Sequence, residues 1–145
     1  MPLLVEEPGS ERASLLWNKA DRIIGVRLVY AEGCAAFAMA RRLGRITNGE
    51  FESALLGLDQ LYQQMDMVEV SDGLVRRAGV LAKEYSLRGY DSVHLAAAVT
   101  VDDDEAVLVT GDGRLSQAAR ALGLATAAIN NIPGQEERMT QGNSL

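Results

Sequence analysis

The sequence predicts a single α/β domain, a three-layer α/β/α sandwich whose sheet is mostly parallel. Helical and strand-like patterns alternate along the chain, which is typical of parallel α/β folds. Val107–Thr110 is an unbroken run of β-type residues, as expected for a strand that is buried on both faces of a parallel sheet. The chain has 145 residues, of which 48% are hydrophobic, and this is enough for one domain with a substantial core.

The individual elements follow from the spacing of apolar residues and from the residues that end each run. Helical spacing predicts helices over residues 10–20, 28–43, 49–64, Asp72–Tyr85, 92–101 and 114–122. Shorter apolar runs predict strands over residues 23–26, 67–70, Val107–Thr110 and 125–129. Residues 44–48 separate the second helix from the third, Ser71 is the expected N-cap of the fourth helix, and Gly123 is the expected C-cap of the last.

Two carboxylates stand where these elements meet. Asp91 opens the apolar run of residues 92–101, and Asp112 directly follows the strand Val107–Thr110. A helix that crosses back over a parallel sheet begins at the carboxyl edge of that sheet, and the next strand ends at the same edge. Both acids are therefore expected at the edge where α/β folds bind ligands. Each acid alone also has a structural explanation, since Asp is a preferred N-cap and Asp112-Gly113 is ordinary turn chemistry.

A third carboxylate, Glu32, is the exception in an otherwise apolar or small helical segment. It lies on the same helical stripe as four apolar residues, Val29, Ala36, Met39 and Leu43. It follows the predicted strand 23–26 by about two helical turns, which again places it near the carboxyl edge. Burying an ionised acid without a partner costs several kcal/mol, so Glu32 is expected to be salt-bridged, protonated or bound to metal.

Other polar residues near these acids carry weaker expectations. His94 lies one helical turn beyond Asp91 and is expected to be a packed, hydrogen-bonded residue rather than a general base. The acidic residues 102–105 lie between a helix end and a strand start, at the opposite edge, and are expected to form a solvated loop. Arg88 and Arg114 flank the acids and are the expected contacts for phosphate.

Charge and composition exclude some classes of protein. The net charge of −6 and the pI near 4.8 argue against a protein that holds nucleic acid through a broad basic surface. Cys34 is the single cysteine and is expected to be a small core residue, which suits a reducing cytoplasm. The sequence shows no export or membrane-spanning signal, so we expect a cytoplasmic protein with no membrane partner.

Several short motifs give the chain a family resemblance. They are RGYDSVHLA at residues 88–96, VLVTGD at 107–112, Ala118-Ala119, LGL at 122–124 and LVEEPGS at 4–10. In this order and spacing, with the helical Glu32 between them, they resemble the PIN domain, and more narrowly the VapC-type ribonuclease toxins of type II toxin–antitoxin systems. The similarity runs over about residues 3–132, so the expected organisation is a PIN-like domain over 1–132 and a polar tail over 133–145.

The resemblance includes one departure at the start of the chain. The family pattern opens with a hydrophobic strand that ends in Asp, and Met1-Pro2-Leu3 is too short to supply it. That strand is the central one of the family's sheet, so its neighbours are expected to lack a pairing partner. Three explanations agree with the sequence. The true start of the reading frame lies upstream of Met1, a second copy of the chain supplies the segment, or the chain is a degenerate, non-catalytic paralogue.

For the intact family, the resemblance implies hydrolysis of RNA phosphodiester bonds with Mg²⁺ or Mn²⁺. The first metal-binding aspartate of the family has no counterpart in this sequence, so weaker metal binding and much reduced activity are expected for the chain as given. Carried over by motif, Asp91 is the foremost candidate for direct metal binding, Asp112 binds the same or a second ion, and Glu32 binds directly or through water. The resemblance also implies a cognate antitoxin and a homodimer. Two alternatives remain, namely a catalytically silent PIN-like module that binds an antitoxin or another protein, and an α/β hydrolase or phosphatase with Asp112 as nucleophile.

Overall fold

A computed structural model describes residues 15–16, 18–101 and 103–128 of the chain. Its helices are α1 Val29–Arg42, α2 Asn48–Gln64, α3 Asp72–Tyr85, α4 Gly89–Thr100 and α5 Gly113–Ala121. Its strands are β1 Ile24–Val26, β2 Asp66–Val68, β3 Val107–Thr110 and β4 Ala125–Ala128. The first predicted helix, residues 10–20, lies mostly outside the described residues, as does the predicted tail. Among the described residues, no helix is long and apolar enough to cross a membrane.

The α/β class and the parallel strands are confirmed, and the four strands of the described region form two separate pairs. β1 pairs with β2 and β3 pairs with β4, and both pairs are parallel. Helix α4 packs against β1, while α5 packs against β3 and β4. The predicted α/β class therefore stands, and the sheet within the described residues is small.

A groove of about 180 Å³ lies between the two strand pairs. Ile24 and Val26 of β1 line it on one side, Val107 and Leu108 on the other, and Ala97 of α4 is among the residues that close its base. The groove is thus mostly apolar, as the inside of an α/β sheet would be.

The hydrogen bonds of β1 show which of its backbone groups face this groove. The Asp66 N–H donates to the Ile23 carbonyl, and the Arg27 N–H donates to the Val68 carbonyl. The Ile23 carbonyl and the Arg27 N–H therefore face β2. Backbone groups alternate sides along a strand, so those of Ile24 and Val26 point away from β2 and toward the groove.

Two hydrophobic clusters hold the described fold together. The larger one combines residues of β1, α3, α4 and α5, with Leu95, Ala96 and Ala119 fully buried at its centre. The smaller one joins α1 to α2 through Phe37, Ala54 and Leu58, with Cys34 packed at its edge. The core assignment of Cys34 agrees with this packing. Helix α1 and helix α4 thus belong to separate packed units.

The buried face of α1 differs from the predicted stripe. The buried residues are Gly33, Phe37 and Ala40, whereas Met39 and Leu43 are more than half exposed. Nearly every residue of this helix is apolar or small, so its sequence defines no single amphipathic face. The contact with α2 determines which face of α1 is buried, because Gly33 lacks a Cβ and lets Leu58 approach closely.

Local signals determine the ends of three helices. Thr47 caps α2 in a capping box, since its side chain accepts from the Glu50 N–H while the Glu50 carboxylate accepts from the Thr47 N–H. Ser71 caps α3 by accepting from the Leu74 N–H, as predicted. Gly123 has a φ of 82° just beyond α5, in the left-handed region that favours glycine.

Candidate active site

Asp91 is the third residue of α4 and is half-buried. The N-cap of this helix is Arg88, so the structural explanation of Asp91 as an N-cap is wrong. Burial is the largest cause that raises the pKa of its carboxyl above the ordinary value. The charge of Asp112 raises this pKa further, and that of Glu32 adds a smaller increase. The charges of His94 and Arg88 act in the opposite direction. Asp91 is thus close enough to both other acids to feel their charge.

Asp112 connects β3 to α5 and is the N-cap of that helix. Its Oδ1 accepts from the backbone N–H groups of Arg114 and Leu115 at 2.9 and 3.0 Å. Its own N–H donates to the Thr110 hydroxyl at 3.0 Å. These bonds hold the carboxylate firmly through Oδ1. The structural explanation of Asp112 as a cap is therefore correct, and it does not exclude a second role, because the same charge also acts on Asp91.

Glu32 lies in the first turn of α1 and pairs with His94 of α4. The distance between Glu32 Oε1 and His94 Nε2 is 2.8 Å, and the two side chains are 35% and 24% exposed. Glu32 therefore has the kind of partner that a partly buried carboxylate requires. His94 is a packed, hydrogen-bonded residue, as expected from its position on an apolar helix.

The three carboxylates come from three different elements, α1, α4 and the end of β3. Within the part of the chain that the structure describes, no group of three or more His, Cys, Asp or Glu side chains has the spacing to hold a metal ion. Mg²⁺, however, commonly takes only one or two carboxylates and completes its shell with water and substrate phosphate. The chemistry of the donors fits such an ion, since Asp91 is already disfavoured as an anion and a nearby cation would relieve this.

The flanking residues divide between the site and the rest of the molecule. Arg88 is the N-cap residue of α4 and its charge reaches Asp91. Arg114 follows Asp112 in the first turn of α5 and is exposed. The acidic residues 103–105 are exposed and form a turn before β3, as predicted for a solvated loop.

The pairing of His94 with Glu32 is the feature that the sequence did not reveal. The sequence predicted that His94 is hydrogen-bonded, but nothing in it identifies a partner 62 positions away. Arg27 was also missed. It directly follows β1 and donates to Glu69 and to the Tyr62 hydroxyl.

Comparison with known proteins identifies the family of the chain. The family model of the PIN domain matches residues 2–121. The chain belongs to the PIN-domain family. It is 38% identical over 131 residues to a protein named Ribonuclease VapC45 from Mycobacterium tuberculosis (strain CDC 1551 / Oshkosh), with 90% of this chain and 91% of that protein covered. The same values hold for Ribonuclease VapC49 from Mycobacterium tuberculosis (strain ATCC 25618 / H37Rv). The predicted PIN-domain, VapC-type resemblance is confirmed.

Proposed function

We propose that this protein is a metal-dependent endoribonuclease of the VapC toxin type, which hydrolyses RNA phosphodiester bonds and is neutralised by a cognate antitoxin. The observation that carries the proposal is the position of Asp91, which lies within electrostatic reach of both Asp112 and Glu32 at the ends of neighbouring elements. The ribonuclease names of two relatives that match over 90% of the chain support the same reaction class.

In this proposal Asp91 binds the metal ion directly, Asp112 binds the same ion or a second one, and Glu32 contributes directly or through water. The cofactor is Mg²⁺ or Mn²⁺, because carboxylate oxygens are the ligands that these ions prefer. Such an ion, when bound, lowers the pKa of its water and offsets negative charge on the scissile phosphate. Asp112 is well suited to hold its ligand position, since two backbone N–H groups fix one of its oxygens.

The RNA must approach a chain with a net charge of −6, so its contacts are expected to be local. We propose that Arg88 and Arg114 contact RNA phosphates, because they flank Asp91 and Asp112 on exposed helix starts. A basic antitoxin segment would be attracted to the same acids. Function as a homodimer in the cytoplasm completes the proposal.

The test is cleavage of a structured RNA by the purified protein in Mg²⁺ or Mn²⁺, with and without a chelator. Asp91→Asn is the site variant. Asp72→Asn is the matched control, because Asp72 also lies in the first turn of a helix but forms an exposed ion pair with Arg76 of the same helix. We expect metal-dependent cleavage that Asp91→Asn abolishes and Asp72→Asn retains. Equal cleavage by both variants would show a contaminating nuclease or a different site.

One observation favours a second function, a catalytically silent PIN-like module that binds an antitoxin or another protein. The strands of the described region form two separate pairs, so the sheet beneath the acids is divided. Two results together would support this second function and refute the first. The folded protein would cut no RNA under any of these conditions, and it would bind a basic antitoxin peptide with an affinity that Asp91→Asn lowers.

A further inference from the structure

His94 links two helices whose buried residues belong to different hydrophobic clusters. Helix α1 buries its apolar face against α2, while α4 belongs to the larger cluster with α3 and α5. Asp91 and Asp112 lie on the α4 and α5 side, whereas Glu32 lies on α1. The bond between His94 Nε2 and Glu32 Oε1, at 2.8 Å, connects the two helices.

The chemistry of this bond assigns its direction. An ionised carboxylate only accepts hydrogen bonds, so His94 Nε2 carries the hydrogen and donates it to Oε1. The Glu32 side chain has three rotatable bonds and is only partly buried, so packing alone leaves its carboxylate several orientations. A donor on a neighbouring helix selects one of these orientations and leaves the second oxygen of Glu32 outside this bond.

We propose that His94 is a positioning residue, which fixes the orientation of the Glu32 carboxylate for its part in metal binding. This inference rests on the proposed function, because it assumes that Glu32 takes part in binding the ion. It assigns no contact between His94 and RNA or metal. Residues that orient a metal ligand typically change metal affinity by about 10- to 100-fold when they are removed.

The chain offers a direct probe, because His94 is its single histidine. A sample with ¹⁵N-labelled histidine therefore gives one imidazole spectrum, which needs no assignment. We expect a spectrum typical of a ring protonated at Nε2, which changes in the Glu32→Gln variant and remains unchanged in Asp72→Asn. We also expect the signal to shift on titration with Mg²⁺. An imidazole spectrum that is identical in Glu32→Gln and in the unmodified protein would overturn the proposal.

Binding of Mn²⁺ by calorimetry, without RNA, then separates positioning from mere packing. His94→Leu keeps a side chain of similar size but has no donor, and we expect it to weaken Mn²⁺ binding by about 10- to 100-fold. His94→Gln restores a donor at a similar reach and is expected to recover most of the affinity. Thermal unfolding of each variant checks that the fold is retained.

The outcomes distinguish this inference from the proposed function. If the unmodified protein binds Mn²⁺ and cuts RNA, but folded His94→Leu binds Mn²⁺ as tightly, the positioning role is refuted and the ribonuclease function stands. If His94→Leu and His94→Gln weaken binding equally, the hydrogen bond is not the cause and the inference also falls. If the unmodified protein binds no divalent ion, both the inference and the metal-dependent function are refuted.

Discussion

Replacing Asp112 by Asn and by Ala separates the two roles that the structure combines in one side chain. Asp112 caps α5 through two hydrogen bonds from backbone N–H groups, and its charge raises the pKa of Asp91. Asn is as good an N-cap as Asp, whereas the side chain of Ala has no hydrogen-bond acceptor. Neither replacement carries a negative charge. The two variants therefore differ in stability but not in the electrostatics of the site.

The expected stability change follows from the cap. Loss of a capping side chain typically costs about 1 kcal/mol, with a range of about 0.5–2 kcal/mol. Helix α5 has only nine residues, and its buried face contributes Leu115, Ala118 and Ala119 to the core. Fraying of its first turn should therefore lower the stability of the whole domain. We expect Asp112→Ala to lower the free energy of unfolding by about 1 kcal/mol and Asp112→Asn to change it by a few tenths at most.

The two variants are expected to lose the same amount of activity, although they differ in stability, because both remove the same proposed metal ligand. Loss of a group that merely orients a ligand already costs about 10- to 100-fold, so RNA cleavage should fall by about 100-fold or more in both variants. The pKa of the Asp91 carboxyl should also fall in both, because the charge of Asp112 is the second-largest cause that raises it.

Urea unfolding and RNA cleavage, measured on the same preparations, test this reasoning. Full cleavage activity in Asp112→Asn would refute the role of Asp112 in the site and leave it as a cap alone. Equal destabilisation of Asp112→Asn and Asp112→Ala would refute the account of the cap, because it would show that the charge, and not the hydrogen-bond acceptor, stabilises the start of α5.

Three further predictions concern stability. Gly33→Ala should lower the free energy of unfolding by about 1 kcal/mol, because the new Cβ would lie 2.8 Å from Leu58 Cδ2 and overpacking outweighs the gain in helix propensity. Gly79 is exposed and a Cβ there would have no atom within 4 Å, so Gly79→Ala should raise the free energy of unfolding by about 0.5–1 kcal/mol. Equal urea midpoints for the two variants would contradict both expectations. Thr47→Ala should cost about 1 kcal/mol in thermal unfolding through loss of the capping box, and an unchanged midpoint would contradict it. The folded state raises the pKa of Asp91, so the favourable contribution of its protonated form is complete below the ordinary pKa of Asp and is lost as pH rises through the folded value. Without divalent ions, Asp91→Asn should therefore gain stability relative to the unmodified protein as the pH rises above the ordinary pKa of Asp. A stability difference that stays constant with pH would count against this.

Local signals explain why several elements could be predicted closely. The helix Asp72–Tyr85 has the predicted ends because Ser71 supplies the cap, and the strand Val107–Thr110 is a β-type run bounded by a turn. Helix α4 begins at Gly89, three residues earlier than predicted, because its first turn has few apolar residues to mark it. The buried face of α1 was predicted wrongly, since a helix that is apolar or small all round leaves the choice of face to its neighbour α2.

The α/β class and the parallel direction of the strands could be predicted from the sequence alone, because they follow from local periodicity and from the crossover connections between strands. The position of Asp112 directly after β3 could be predicted for the same reason. The pairing of Glu32 with His94, the effect of the Asp112 charge on Asp91 and the division of the described strands into two pairs became known from the folded structure. These features are contacts between distant parts of the chain, so packing and hydrogen-bond geometry select the partners.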